Sequence, residues 1–160
     1  MPRSLCGHPI VNAGLNGAST ASDLGPWLVD ALDDKRAAAI VVSLGTNDAL
    51  MARSAEQFET NYLALLAQLS KATAHLAVLG IPAIGVQGRV TAEFQAGAMK
   101  DVNALNAVLP ALAAKAGATF IALPPVSKPH TIDGVHLNAD GYAAWDEAIL
   151  QGVSTICGPR

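Results

Sequence analysis

Ala38-Ala39-Ile40-Val41-Val42-Ser43-Leu44-Gly45-Thr46-Asn47-Asp48 is an apolar run of strand length that breaks off at a glycine and a cluster of polar side chains. A strand apolar at consecutive rather than alternate positions is buried on both faces, and a sheet so buried is typically parallel with helices on each side. Pro9 to Ala13, Ala83 to Gln87 and Thr119 to Leu123 read the same way, giving four expected strands. Helical periods fill the gaps, which is the alternation of an α/β fold with crossover helices. The clearest helix begins at Ser54, where Ser-x-x-Gln offers a capping box and Phe58, Tyr62, Leu65, Leu66 and Leu69 recur at helical spacing. A second covers about Lys100 to Ala116, with Val102, Leu105, Leu109 and Leu112 inward, Gly117 as its stop and a kink expected at Pro110. The last starts near Asn138 and is expected to bury Tyr142, Trp145 and Ile149.

The chain has 160 residues, enough for one domain with a sizeable core, and 51% of them are apolar. No repeat, low-complexity tract or linker divides it, so residues 1–160 are read as a single domain. A formal net charge of −3 without a Lys/Arg cluster offers nothing to neutralise a phosphate backbone, which argues against a nucleic-acid partner. No apolar run approaches the ~20 residues of a membrane span, and no basic segment precedes an apolar one at the start. Cys6 and Cys157 lie at opposite ends of the sequence; spacing leaves open a disulfide tying the termini or two free thiols.

Ligands of open parallel sheets bind beyond the carboxyl ends of the strands. Three polar motifs fall there: Asn12-Ala13-Gly14-Leu15-Asn16-Gly17 after the first expected strand, Gly45-Thr46-Asn47-Asp48 after the second, and Asp133-Gly134-Val135-His136 after the last. An Asp three residues before a His can fix its tautomer, and an Asn amide and a Gly N–H can hold an oxyanion, which outlines an acyl-transfer site in need of a nucleophile. In that reading His136 moves the proton, Asp133 orients it, and Asn47 and Gly17 are the oxyanion donors. Each motif alone is also an ordinary turn, since Asn and Asp readily bond their own backbone. Only the combination is specific. His130, Asp133 and His136 match no strong metal-ligand spacing, so no metal is expected.

The residues from Val11 to Ser19, from Ser43 to Asp48 and from Asp133 to Asn138 resemble the second, third and fifth blocks of the SGNH (GDSL) hydrolase superfamily. The helices between them are most similar to its bacterial thioesterase, lysophospholipase and arylesterase branch. That resemblance implies a flavodoxin-like three-layer α/β/α sandwich with a parallel sheet. It implies serine-dependent hydrolysis of carboxylic esters or thioesters, small-molecule substrates and no cofactor. Gly17 and Asn47 match the family's oxyanion residues, and Asp133 and His136 its remaining triad members.

The family's first block, Gly-Asp-Ser at the end of the first strand, has no counterpart in the sequence. Ser4 in Arg3-Ser4-Leu5 echoes it, but a parallel crossover needs about ten to twelve residues and only five separate Ser4 from Ile10. Ser19, Ser22 and Ser43 fall in segments the family explains otherwise. In a sheet ordered 2-1-3-4-5 the first strand is central. The expectation is therefore an N-terminally incomplete domain: its strands close up directly, a second copy completes the sheet as a homo-oligomer, or the natural protein is longer. A truncated start best explains a Met1 lying where the family's first helix ends, and the chain alone is expected to be impaired. Two other readings remain: a non-catalytic domain that keeps the pocket to bind a ligand or partner, and a doubly wound phosphate binder, disfavoured because no G-x-G-x-x-G or P-loop follows a strand. Low aromatic content suggests short acyl or acetyl groups, and the compartment is not legible.

Overall fold

A computed structural model of the protein describes residues 4–5, 7–32, 36–88, 90–125 and 129–156. Cys6 and Cys157 lie outside them. In chain order the elements are β1 (Ser4–Leu5), β2 (His8–Pro9), α1 (Gly25–Leu32), β3 (Ile40–Val42), α2 (Thr46–Leu50), α3 (Ala55–Leu69), β4 (Leu76–Leu79), α4 (Ala92–Lys115), β5 (Thr119–Ile121) and α5 (Ala139–Ser154).

The fold is α/β, built on a parallel sheet ordered β3-β4-β5. Val42 pairs with Val78, and Val78 with Phe120. Every residue of the central strand is buried, and its alternation divides the interior in two. Leu76 and Val78 join the larger core with Phe58, Tyr62 and Leu66 of α3 and Val102, Leu105 and Leu109 of α4. Ala77 and Leu79 point the other way, into a smaller core with Ile121 and with Ala148 and Val153 of α5. Helices thus cover both faces, which is why the strands carry no polar side of their own. Truncating a fully buried leucine such as Leu109 or Leu66 to Ala should cost about 2–5 kcal/mol.

The middle strand is not Ala83 to Gln87. Leu76–Leu79 takes its place, and after Gly80 the chain leaves the sheet. There the Asn106 amide of α4 substitutes for a neighbouring strand: its Oδ1 accepts from Ile81 N–H at 2.8 Å and its Nδ2 donates to Ile81 C=O at 3.0 Å. Residues 83–87 form a loop instead, pinned where Gln95 Nε2 donates to Ile84 C=O and Gly85 N–H to Gly134 C=O. The expected first strand is also corrected. Of that stretch only Pro9 lies in a strand, His8–Pro9, which pairs antiparallel with Ser4–Leu5 beside Gly7, whose φ of 80° suits a tight turn.

The expected helices are present. Ser54 caps α3 by accepting from Gln57 N–H, and all five residues of its predicted stripe are buried. Helix α4 begins earlier than expected, at Ala92, because the Thr91 hydroxyl caps it, and it continues through Pro110 to Lys115, two residues before the positive-φ Gly117. Asn138 caps α5. There the inward set differs from expectation: Trp145 and Ile149 are half-buried, whereas Tyr142 is exposed and packs edge-on against Trp145.

Candidate active site

Asp133 and His136 sit in the loop that leads into α5. The Asp133 carboxylate closes that loop on itself: Oδ1 accepts from the backbone N–H of Val135 at 3.0 Å and of His136 at 2.8 Å, while Oδ2 lies 2.7 Å from His136 Nδ1. These bonds, first those from His136, hold the carboxyl well below the usual carboxylate range. A carboxylate at Nδ1 leaves Nε2 free to exchange a proton with solvent or substrate, and the His136 side chain is 76% exposed. Among the described residues no side chain hydrogen-bonds to Nε2.

The loop's shape depends on Gly134. Its φ is 98°, and a Cβ there would lie 2.8 Å from Gly85 O and 2.6 Å from Val90 Cγ2. Beneath the dyad, Thr131 donates to Gln87 Oε1 at 2.6 Å, and the buried His130 ring lies 2.9 Å from Ala83 C=O. The segment after β4 is therefore the floor of the dyad loop.

The same segment supports the second motif. Gly45 precedes α2 with a φ of 129°, and a Cβ there would run into the Ile81 side chain. Asn47 and Asp48 form the first turn of α2, and both side chains reach into residues 18–20. Asn47 Nδ2 donates to Ala18 C=O at 2.8 Å. Asp48, fully buried, accepts from the Thr20 hydroxyl at 2.6 Å and from Thr20 N–H at 3.0 Å, and pairs with Arg53 Nε at 2.6 Å. Burial, and after it the Asp48 charge, pushes the Tyr62 phenol up. The clamp fixes Ala18, whose carbonyl Asn47 holds, and Gly17, exposed and at φ 74°, directly precedes it in the chain.

The four expected site residues thus come as two pairs, Asp133 with His136 and Asn47 with the Gly17 turn. Both follow the carboxyl ends of parallel strands, and both motifs touch residues 81–88. Thr20, Asp48 and Arg53, which hold the second pair in place, escaped the sequence reading. An Asp after an Asn at a helix start reads as a turn former, and nothing local announces burial. The serines are differently engaged: Ser19 Oγ accepts from Ala21 N–H, Ser22 Oγ from Ser19 N–H, and Ser4 lies in the β1–β2 hairpin. Among the described residues no group of three or more His, Cys, Asp or Glu is placed to hold a metal ion, and no helix is long and apolar enough to cross a membrane.

Solved structures share this architecture at low sequence identity. That of TesA superposes with a TM-score of 0.70 at 20% identity, covering 93% of this chain and 79% of that one. The acetyl xylan esterase AlAXEase gives 0.66 at 21%, over 88% and 78% of the two chains. Axe2, an acetylxylan esterase from Geobacillus stearothermophilus, gives 0.66 at 14%, over 92% and 73%. No curated protein matches the sequence. The family model of the GDSL-like lipases and acylhydrolases matches residues 1–144, a span containing both pairs of site residues. The chain belongs to that family of ester hydrolases.

Proposed function

We propose that the chain hydrolyses carboxylic esters or thioesters bearing short acyl or acetyl groups, by an SGNH-type mechanism. The observation that carries this reading is the Asp133–His136 dyad, with Nδ1 bonded to the carboxylate and Nε2 open. A serine hydroxyl gives its proton to His136 Nε2 as its oxygen attacks the carbonyl, and Asp133 stabilises the imidazolium so formed. Negative charge builds on the carbonyl oxygen, where the second N–H of Asn47 and the Gly17 N–H donate. The imidazolium then protonates the leaving alcohol or thiol. Water repeats the sequence on the acyl-enzyme and releases the acid.

None of the described serines is bonded to His136 Nε2, and the nucleophile is assigned to none of them. On this reading the chain by itself is impaired in acylation. That same observation favours a second reading, a non-catalytic domain that keeps the pocket for binding.

Intact mass after exposure to a fluorophosphonate tests the reading, with His136→Ala as control. A single adduct that requires His136 supports the hydrolase over the binding domain, and peptide mapping then names the nucleophile. Absence of any adduct, together with no ester turnover above the His136→Ala background, means that this chain does not run the serine mechanism by itself.

A further inference from the structure

Gly80 N–H still donates to Ile121 C=O, but beyond it the chain leaves the sheet with its backbone buried, Ile81 being 4% and Ile84 2% exposed. Buried peptide groups need partners, and among the described residues no strand flanks this stretch. Helix α4 supplies them from positions 95, 99 and 106, which share one helical face. Asn106 takes both peptide groups of Ile81, accepting from N–H at 2.8 Å and donating to C=O at 3.0 Å. Met99 Sδ accepts from Ile84 N–H at 3.2 Å, and Gln95 Nε2 donates to Ile84 C=O at 3.0 Å. One rim of the segment is thus moored to a single helix.

The other rim holds the dyad loop. Ala83 C=O lies 2.9 Å from His130 Nε2, Gly85 N–H donates to Gly134 C=O at 2.7 Å, and Gln87 Oε1 accepts from Thr131 at 2.6 Å. Ile81 itself packs on Gly45, two residues before Asn47, where no Cβ would fit. Asn106 therefore grips the residue that touches the Asn47 motif, at the head of the segment that carries the dyad. An amide presents one acceptor and one donor in a plane, as a peptide group does, whereas a carboxylate lacks the donor and a leucine lacks both.

From these contacts we infer that Asn106 is a positioning residue: acting through Ile81, it sets the Asn47 motif and the Asp133–His136 dyad relative to each other. Met99 and Gln95 steady the dyad side of the same segment. What the two groups do to a substrate rests on the ester-hydrolase reading. Their placement by Asn106 needs no nucleophile.

The test compares amide chemical shifts of the full chain with those of Asn106→Leu and Asn106→Asp. Leu112→Ala is the control, because it empties buried space in the last turns of the same helix and removes no side-chain hydrogen bond. Asn106→Leu should move the signals of residues 45–47, the Asn47 side-chain amide included, together with those of residues 134–136, although Asn106 bonds to neither set. Leu112→Ala should lower stability and leave both sets in place. Asn106→Asp keeps the acceptor for Ile81 N–H and should move both sets by a smaller amount, so it carries the comparison even if Asn106→Leu does not fold. Movement confined to residues 80–82, movement of one set alone, no movement in Asn106→Asp, or equal movement in Leu112→Ala would each overturn the assignment. Where the chain turns over p-nitrophenyl acetate, Asn106→Leu should lower kcat by roughly tenfold or more with KM little changed, since a misplacement of about 1 Å is felt in the chemical step. An unchanged kcat would remove the positioning role and leave the hydrolase reading. Joint shifts without turnover of any ester would uphold the positioning while the serine mechanism fails in this chain.

Discussion

Thr20 and Asp48 stand 28 residues apart in sequence and meet in the interior, where the Thr20 hydroxyl donates to Asp48 Oδ1 at 2.6 Å and its N–H to Oδ2 at 3.0 Å. The carboxylate has no exposure and, among the described residues, a single cationic partner, Arg53. Removing one member of such a buried set strands the others. Asp48→Ala is expected to destabilise the fold by about 3–5 kcal/mol in urea denaturation. Arg53→Met should cost less, because Arg53 is 19% exposed and the Thr20 bonds remain.

Glycines at positive φ differ in what surrounds them, and their substitutions should differ accordingly. Gly134→Ala meets both backbone strain and the Gly85 carbonyl, and should cost about 2–4 kcal/mol while displacing the dyad loop. Gly17→Ala meets only the backbone term, about 1–2 kcal/mol. Paired thermal melts of the two variants check the ordering.

Titration of Asp133 has a definite sign. Its folded-state value lies below the ordinary 3.8, so its stabilising contribution is complete above that value and is lost only as pH falls through the depressed one. The Asp133 side-chain carboxyl ¹³C shift should stay unchanged from neutral pH down to about pH 3, where unperturbed carboxylates have already titrated. His136→Ala removes one of the three bonds to that carboxylate and should move its titration upward.

If the ester-hydrolase reading holds, Asn47→Ala should lower kcat by about 10²–10³ with little change in KM, because the donor is engaged most in the transition state. The loss of its bond to Ala18 should cost only about 1 kcal/mol of stability. Urea denaturation beside steady-state kinetics separates the two effects.

The α3 stripe was legible because Phe58, Tyr62, Leu65, Leu66 and Leu69 are all apolar at one helical period and every one is buried. Asp133 and His136 were legible because their bond is local, spanning three residues. The middle strand was not. Leu76–Leu79 and Ala83–Gln87 are both short apolar runs, and what separates them is register with Val42 and Phe120, which no local pattern encodes. The clamp of Asp48 on Thr20 was hidden for the same reason, since it is a contact between distant segments.

Residues 81–88 carry none of the groups assigned to chemistry, yet Ile81 abuts Gly45 while Gly85 and Gly88 abut Gly134 and Asp133. They act as the keystone of an arch whose two piers are the Asn47 motif and the Asp133–His136 dyad. If the ester-hydrolase reading holds, the span between its proton carrier and its oxyanion donors is a property of this segment's length and stiffness. Variation that retunes the enzyme toward bulkier or slimmer substrates can arise here, in positions with no reactive atom at all.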